Sequence, residues 1–171
     1  MRKICYGVAM SLDGYIAGPN GEDDWIVIDP EIDFGAMFAK YDTLVMGRKT
    51  FERMVNAGQA TMPGMKIVVF SRTLRSADYP DVTVVVDELE ETARTLRAAP
   101  GKDIWLFGGG SLFRSFLQEG LVDVVEVGVI PVLLGGGIPL LPAPARRESL
   151  KLISHRVYGK SGIVMLTYAL K

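Results

Sequence analysis

The chain has 171 residues, enough for one domain with a sizeable core and short for two. Hydrophobic residues make up 49% and charged residues 23%, the balance of a soluble globular protein, and a formal net charge of -1 with scattered cations argues against a nucleic-acid partner. The lone cysteine, Cys5, and the lone histidine, His155, exclude an internal disulfide and leave no thiolate or imidazole set for zinc, so no metal is expected.

In chain order, KICYGVAM places Ile4, Tyr6, Val8 and Met10 on one side at strand period. SLDGYIAGPNGEDDW, residues 11–25, is turn-rich and reads as a mobile loop of a length often tied to function. Asp29-Pro30 predicts a helix start, an N-cap followed by proline, with Phe34, Met37, Phe38 and Tyr41 at helical spacing behind it. A short strand over 43–46 ends at Gly47, and RKTFERMV (48–55) reads as helix. Strands follow over 66–70 and 82–86, rich in β-branched residues. Asp87 with Glu90 resembles a capping box for the helix DELEETARTLRAA, which Pro100-Gly101 ends. Another strand covers 103–107, and a helix runs from Ser111 to Glu119 until Gly120 stops it.

From Val127 to Ala145 the chain carries no charge and is long enough to span a bilayer. Four prolines and the run Gly135-Gly136-Gly137 interrupt it, which lipid would not tolerate. The segment reads as a buried strand over 122–130 running into an irregular loop. Two last strands, near 150–157 and 163–169, are joined by YGKSG, a hairpin signal. Alternating strands and helices followed by a β-rich tail predict one α/β domain spanning 1–171, with a largely parallel sheet and an antiparallel edge.

Three strand ends carry chemistry, and ligands of open parallel sheets bind at such ends. In VMGRKTFE, Gly47 lets the chain turn closely while Arg48, Lys49 and Thr50 open a helix, where free N–H groups favour an anion. A capped helix with surface cations is the alternative. In VVFSRTL, Ser71 and Arg72 follow an apolar strand and suit a phosphate monoester, or else form a polar turn. In LFGGGSLFRSFL, Gly108, Gly109 and Gly110 admit a diphosphate to the backbone or serve a tight turn at positive φ.

VMGRKTFE resembles the dihydrofolate reductase superfamily motif M-G-R-x-T-[WFY]-E, and FGGGSLFRSFL resembles that family's later glycine-rich motif. Order and separation match, with the Ser-Arg strand end between them. SLDGYIA and PVLLGGGIPLL look more like the reductase domain of riboflavin biosynthesis, the RibD C-terminal domain. The resemblance covers nearly the whole chain. It implies a single-domain, three-layer fold: a mixed, mostly parallel sheet with antiparallel C-terminal strands and helices on both faces.

The same resemblance implies NADPH as cofactor and transfer of hydride to a small heterocyclic or carbonyl substrate. Arg48, Ser71 and Arg72 would hold the adenosine 2′-phosphate. Gly47, Lys49, Thr50, Gly108, Gly109, Gly110, Ser111 and Leu112 would cradle the diphosphate. Ala9, Ile16 and Ala17 would lie beside the nicotinamide, with residues 11–25 as a lid. Trp25, Met37 and Phe38 would border the substrate.

Folate reductases keep a carboxylate early in the first helix. Glu31 and Asp33 are the two candidates. Counting back from Gly47 favours Glu31, helix phase does not choose, and either also fits a first-turn acid complementing the dipole. Asp13 is a further acid in a matching motif, or plain turn chemistry. A cytoplasmic setting is expected from the cysteine usage. A homodimer is expected by analogy, with the uncharged tail strand and its Pro-Gly loop as an apolar interface or folded back on the core. The alternative function is a non-catalytic nucleotide-binding or assembly protein that retains the fold.

Overall fold

Ile4, Tyr6, Val8 and Met10 alternate with Cys5, Gly7, Ala9 and Ser11 along the first strand, and elements pack on both faces of it. A strand so placed belongs in the middle of a sheet. The computed structural model, which describes residues 1–171, puts it there. The elements are β1 (Ile4–Ser11), β2 (Tyr15–Ala17), α1 (Phe34–Phe38), β3 (Tyr41–Gly47), α2 (Arg48–Asn56), β4 (Lys66–Phe70), β5 (Val82–Val85), α3 (Leu89–Ala98), β6 (Asp103–Gly108), α4 (Gly110–Gln118), β7 (Val124–Ile130), β8 (Ile138–Pro139), β9 (Leu150–Val157) and β10 (Val164–Leu170).

Eight strands form one sheet in the order β5-β4-β3-β6-β1-β7-β10-β9. Pairing is parallel from β5 through β7, and antiparallel at β7–β10 and β10–β9. This is the expected mixed sheet with an antiparallel C-terminal edge. On one face, Ala93 and Leu96 of α3 and Phe113, Phe116 and Leu117 of α4 pack on Ile4, Tyr6, Val45, Ile104 and Leu106. On the other, Phe51 and Met54 of α2 pack on Leu44, Met46, Ile67, Val69 and Trp105. Phe51 and Phe116 are fully buried on opposite faces, and each contributes about 1.5–3 kcal/mol. No helix is long and apolar enough to cross a membrane.

The local signals fail where a long-range partner intervenes. No helix starts at Pro30: α1 begins at Phe34, with Asp33 as its N-cap. The Asp29 carboxylate instead accepts bonds from the amides of Glu31 (2.8 Å) and Ser161 (3.0 Å), tying this turn to the β9–β10 connection. Bonds from Ser161 and Glu31 hold its carboxyl below the usual range. Tyr41 is not on the helix but opens β3.

The capping box at Asp87 does not form either. The N-cap of α3 is Glu88, with no side-chain bond, while Asp87 pairs with Arg72 and Glu90 with Arg94. The turn-rich stretch 11–25 contains β2, which pairs with β8 in the Pro-Gly loop. YGKSG joins β9 to β10, closed by Tyr158 N–H bonding to Ile163 O at 2.9 Å.

Candidate functional site

The three chemistry-bearing strand ends sit on β4, β3 and β6. These strands are consecutive neighbours in the sheet, run parallel, and are followed by β1. Residues 47–50, 71–72 and 108–112 therefore line one continuous edge, although more than fifty residues separate the first segment from the last.

At the β3 end, Gly47 caps α2 with φ -84° and ψ 166°, a conformation open to any residue. A β-carbon there would meet no atom within 4 Å. Neither backbone strain nor packing requires this glycine. Arg48 Nη1 bonds Glu52 Oε1 at 2.7 Å across one helical turn, and Lys49 is exposed beside it. Thr50 points toward β6: β-carbons on Gly108 and Gly109 would lie 3.5 and 3.6 Å from its Oγ1.

The three glycines of the β6 end serve three purposes. Gly108 has φ +143°, which side chains rarely adopt. Gly109 caps α4 in extended conformation. Gly110 is pressed by the chain itself, since a β-carbon would come within 2.8 Å of Pro139 O and 3.1 Å of Pro142 Cδ. The close approach at Gly110 is thus to the 139–142 loop. Its amide still lies in the first turn of α4, with Ser111 exposed and Leu112 half-buried behind it. The first turns of α2 and α4 both present free N–H groups and positive dipole ends to this edge.

At the β4 end, Ser71 is buried, and its Oγ accepts from the amides of Thr73 (3.1 Å) and Leu74 (2.9 Å). The hydroxyl organises its own turn. Arg72 is exposed, and its Nε bonds Asp87 Oδ1 at 2.7 Å. Between them and α4 lies a groove of about 270 Å³ with Phe70, Val86, Leu89 and Leu112 as its apolar lining. Sequence reasoning missed Asp87, because its position before a helix reads as a cap. The available signal was its place just past β5, as Ser71 lies just past β4.

On the β1 side, Ala9 packs with Trp25, Ile26, Ile32 and Met165 around Ile130, Tyr158 and Ile163. Ile16 and Ala17 lie in β2, where the Ala17 carbonyl occupies the space a side chain on Gly137 would need. Trp25 Nε1 donates to Glu22 O at 3.0 Å. Met37 and Phe38 pack elsewhere, with the Trp105 cluster, Phe38 lying 5.5 Å from the Trp105 ring. The expected substrate-side residues thus fall in two separate clusters.

The acids are all engaged. Glu31 Oε1 lies 3.3 Å from Lys160 Nζ, and Asp33 Oδ1 accepts the Ala36 amide at 2.8 Å. Asp13 accepts from Ser11 Oγ and Gly135 N at 2.7 Å each and from Leu134 N at 3.1 Å. The Ser11 hydroxyl and then those two amides bring its carboxyl down to about 2. A group so acidic is not a proton donor near neutral pH. It fastens the end of β1 to the loop after β7.

Residues 2–164 match the RibD C-terminal domain family. The Bacillus subtilis protein YyaP is 37% identical over 179 residues, covering 98% of this chain and 94% of that protein. A Shewanella sp. PV-4 crystal structure, provisionally assigned to riboflavin biosynthesis, is 31% identical with a TM-score of 0.82, covering 100% of this chain and 99% of its own. Dihydrofolate reductase from Enterococcus faecalis, complexed with NADP(H) and RAB-propyl, is 21% identical with a TM-score of 0.72 over 99% of this chain and 96% of its own. At that identity the likeness carries the fold alone, and the fold is the expected dihydrofolate reductase-like one.

Proposed function

We infer that this chain, which belongs to the RibD C-terminal domain family, is an NADPH-dependent reductase of a small heterocyclic or carbonyl substrate. The observation that carries this reading is the adjacency of the β4, β3 and β6 ends, which gathers two helix N-termini, three cations and a glycine pair on one edge. The residues present fit a dinucleotide. Gly47 leaves open a space that no internal contact explains, and Thr50 Oγ1 lies beside the bare backbone of Gly108 and Gly109.

In this reading, Arg72 and Arg48, with the turn built on Ser71, meet the 2′-phosphate. Gly47, Lys49 and Thr50, the Gly108-Gly109 backbone at the end of β6 and the first turn of α4, Gly110 to Leu112, would hold the diphosphate. Ala9, Ile16 and Ala17 flank the nicotinamide, which supplies the hydride when bound. Trp25 would border the acceptor from the Ala9 cluster, and Met37 and Phe38 from the separate Trp105 cluster. The β2–β8 pair, fastened through Asp13, excludes water from that end. Glu31 and Asp33 already hold partners within the chain, so we assign them to shaping the turn before α1.

That engagement is also what favours the second reading, a binding protein without turnover. We further propose that copies pair through β9, the edge strand, where Leu150, Leu152, Ile153 and Val157 are exposed. Sedimentation at micromolar concentration checks this, and a monomer removes it.

Titrating the fluorescence of Trp25 and Trp105 with NADPH, then following NADPH oxidation with a panel of pterin, pyrimidine and carbonyl acceptors, tests the function. Saturable binding with oxidation by one acceptor class is expected. Binding without oxidation supports the second reading, and no binding removes both.

A further inference from the structure

The cation best placed for the cofactor phosphate is not free. Arg72 Nε bonds Asp87 Oδ1 at 2.7 Å, and both side chains stand in solvent, at 80% and 62% exposure. So exposed a pair contributes little to stability. It lies in the groove of about 270 Å³ between the ends of β4 and β5 and the first turns of α3 and α4. The groove is apolar along Phe70, Val86, Leu89 and Leu112, with one anion and one cation at its polar end. The lining suits a flat base, and the polar end suits the sugar carrying it.

The two charges ask for different sugars. A carboxylate accepts hydrogen bonds from free ribose hydroxyls, as in NAD sites, whereas a guanidinium accommodates a 2′-phosphate. A dianionic phosphate beside Arg72 must displace the Asp87 carboxylate or lie against its charge. We propose that Asp87 sets the cofactor selectivity of this protein, opposing the 2′-phosphate at Arg72 and accepting a hydroxyl of an unphosphorylated ribose. The preference for NADPH is thereby kept modest, and NADH remains a competent ligand. This rests on the reading of the three strand ends as a dinucleotide site, and names the residue that discriminates there. Specificity of this kind comes from the repulsive element as much as from the attractive one.

The test is fluorescence titration of the wild-type protein, Asp87→Asn and Asp87→Ser with NADPH and NADH, repeated with 2′,5′-ADP and 5′-AMP as fragments. Asparagine retains a polar partner for Arg72 and removes the charge. Both variants are expected to raise the NADPH-to-NADH affinity ratio on the order of five- to tenfold, with the same gain for 2′,5′-ADP over 5′-AMP. The gain should shrink in high salt. NADPH binding with a ratio unchanged in both variants overturns the role of Asp87 and leaves the reductase reading standing. Binding of neither nucleotide by the wild-type protein overturns both.

Discussion

Thr50 and Gly108 meet across the ends of two neighbouring strands, where a β-carbon on Gly108 would lie 3.5 Å from Thr50 Oγ1. A hydroxyl at the first turn of one helix thus stands beside bare backbone leading into another. Gly47 completes the edge, with ordinary backbone angles and open space at its Cα.

Gly47→Ala is therefore diagnostic. The substitution strains no backbone and meets no neighbour, so stability should stay within about 0.5 kcal/mol of wild type. A ligand using that space should lose affinity by tenfold or more, on the order of a misplaced hydrogen-bonded phosphate. Thermal unfolding and NADPH titration read the two effects separately. Unchanged affinity would show that the space is not a cofactor subsite.

Arg72→Ala separates the two nucleotides. The side chain is exposed, so folding should be unaffected. A hydrogen bond between charged groups is worth about 1.5–3 kcal/mol, so NADPH should weaken by roughly ten- to a hundredfold. NADH, with no 2′-phosphate, should change by less than about threefold by the same argument. Equal losses for the two would remove the 2′-phosphate assignment.

Asp13 carries a pH signature. Its carboxyl falls from 3.8 to about 2 in the folded protein, chiefly through the Ser11 hydroxyl and then the Gly135 and Leu134 amides. A group depressed by folding stabilises above its unfolded value, and that stability is lost as pH falls through the folded one. Asp13→Asn should therefore melt below wild type above about pH 4, and the gap should close toward pH 2. A gap independent of pH would mean that the charge is irrelevant to the fastening. Amide exchange at Leu134 and Gly135 should quicken in the variant.

Asp33 separates capping from acid chemistry. Asp33→Ala should cost about 1 kcal/mol, because the Ala36 amide loses its acceptor, while Asp33→Asn caps nearly as well. If Asp33→Asn folds normally yet abolishes turnover, the residue is a proton donor and its assignment as a cap alone is wrong. Glu31→Gln serves in parallel, and there near-wild-type turnover is expected.

Most strands were legible because their evidence is local. Ile4, Tyr6, Val8 and Met10 alternate within one stretch, and the runs at 66–70 and 103–108 are apolar enough to be read as buried. The family motifs at 45–52 and 107–117 located the β3 and β6 ends for the same reason. The two misread helix starts share one cause: a side chain that fits a local role was taken by a distant partner. Asp29 caps no helix because Ser161, 132 residues on, uses its carboxylate. Asp87 builds no capping box because Arg72 holds it.

By itself, then, the sequence determined the periods of the strands, the turns between them and the residue types at three strand ends, because side-chain alternation and turn chemistry act over a few neighbouring residues. Only the tertiary structure decided that β4, β3 and β6 lie side by side, since strand order in a parallel sheet is set by crossovers and packing on both faces. It also decided what each glycine of 108–110 serves. Gly110 yields to Pro139 and Pro142 of a loop that the 139–142 prolines alone do not place, whereas Gly109 stands beside Thr50 on the edge where a cofactor is proposed.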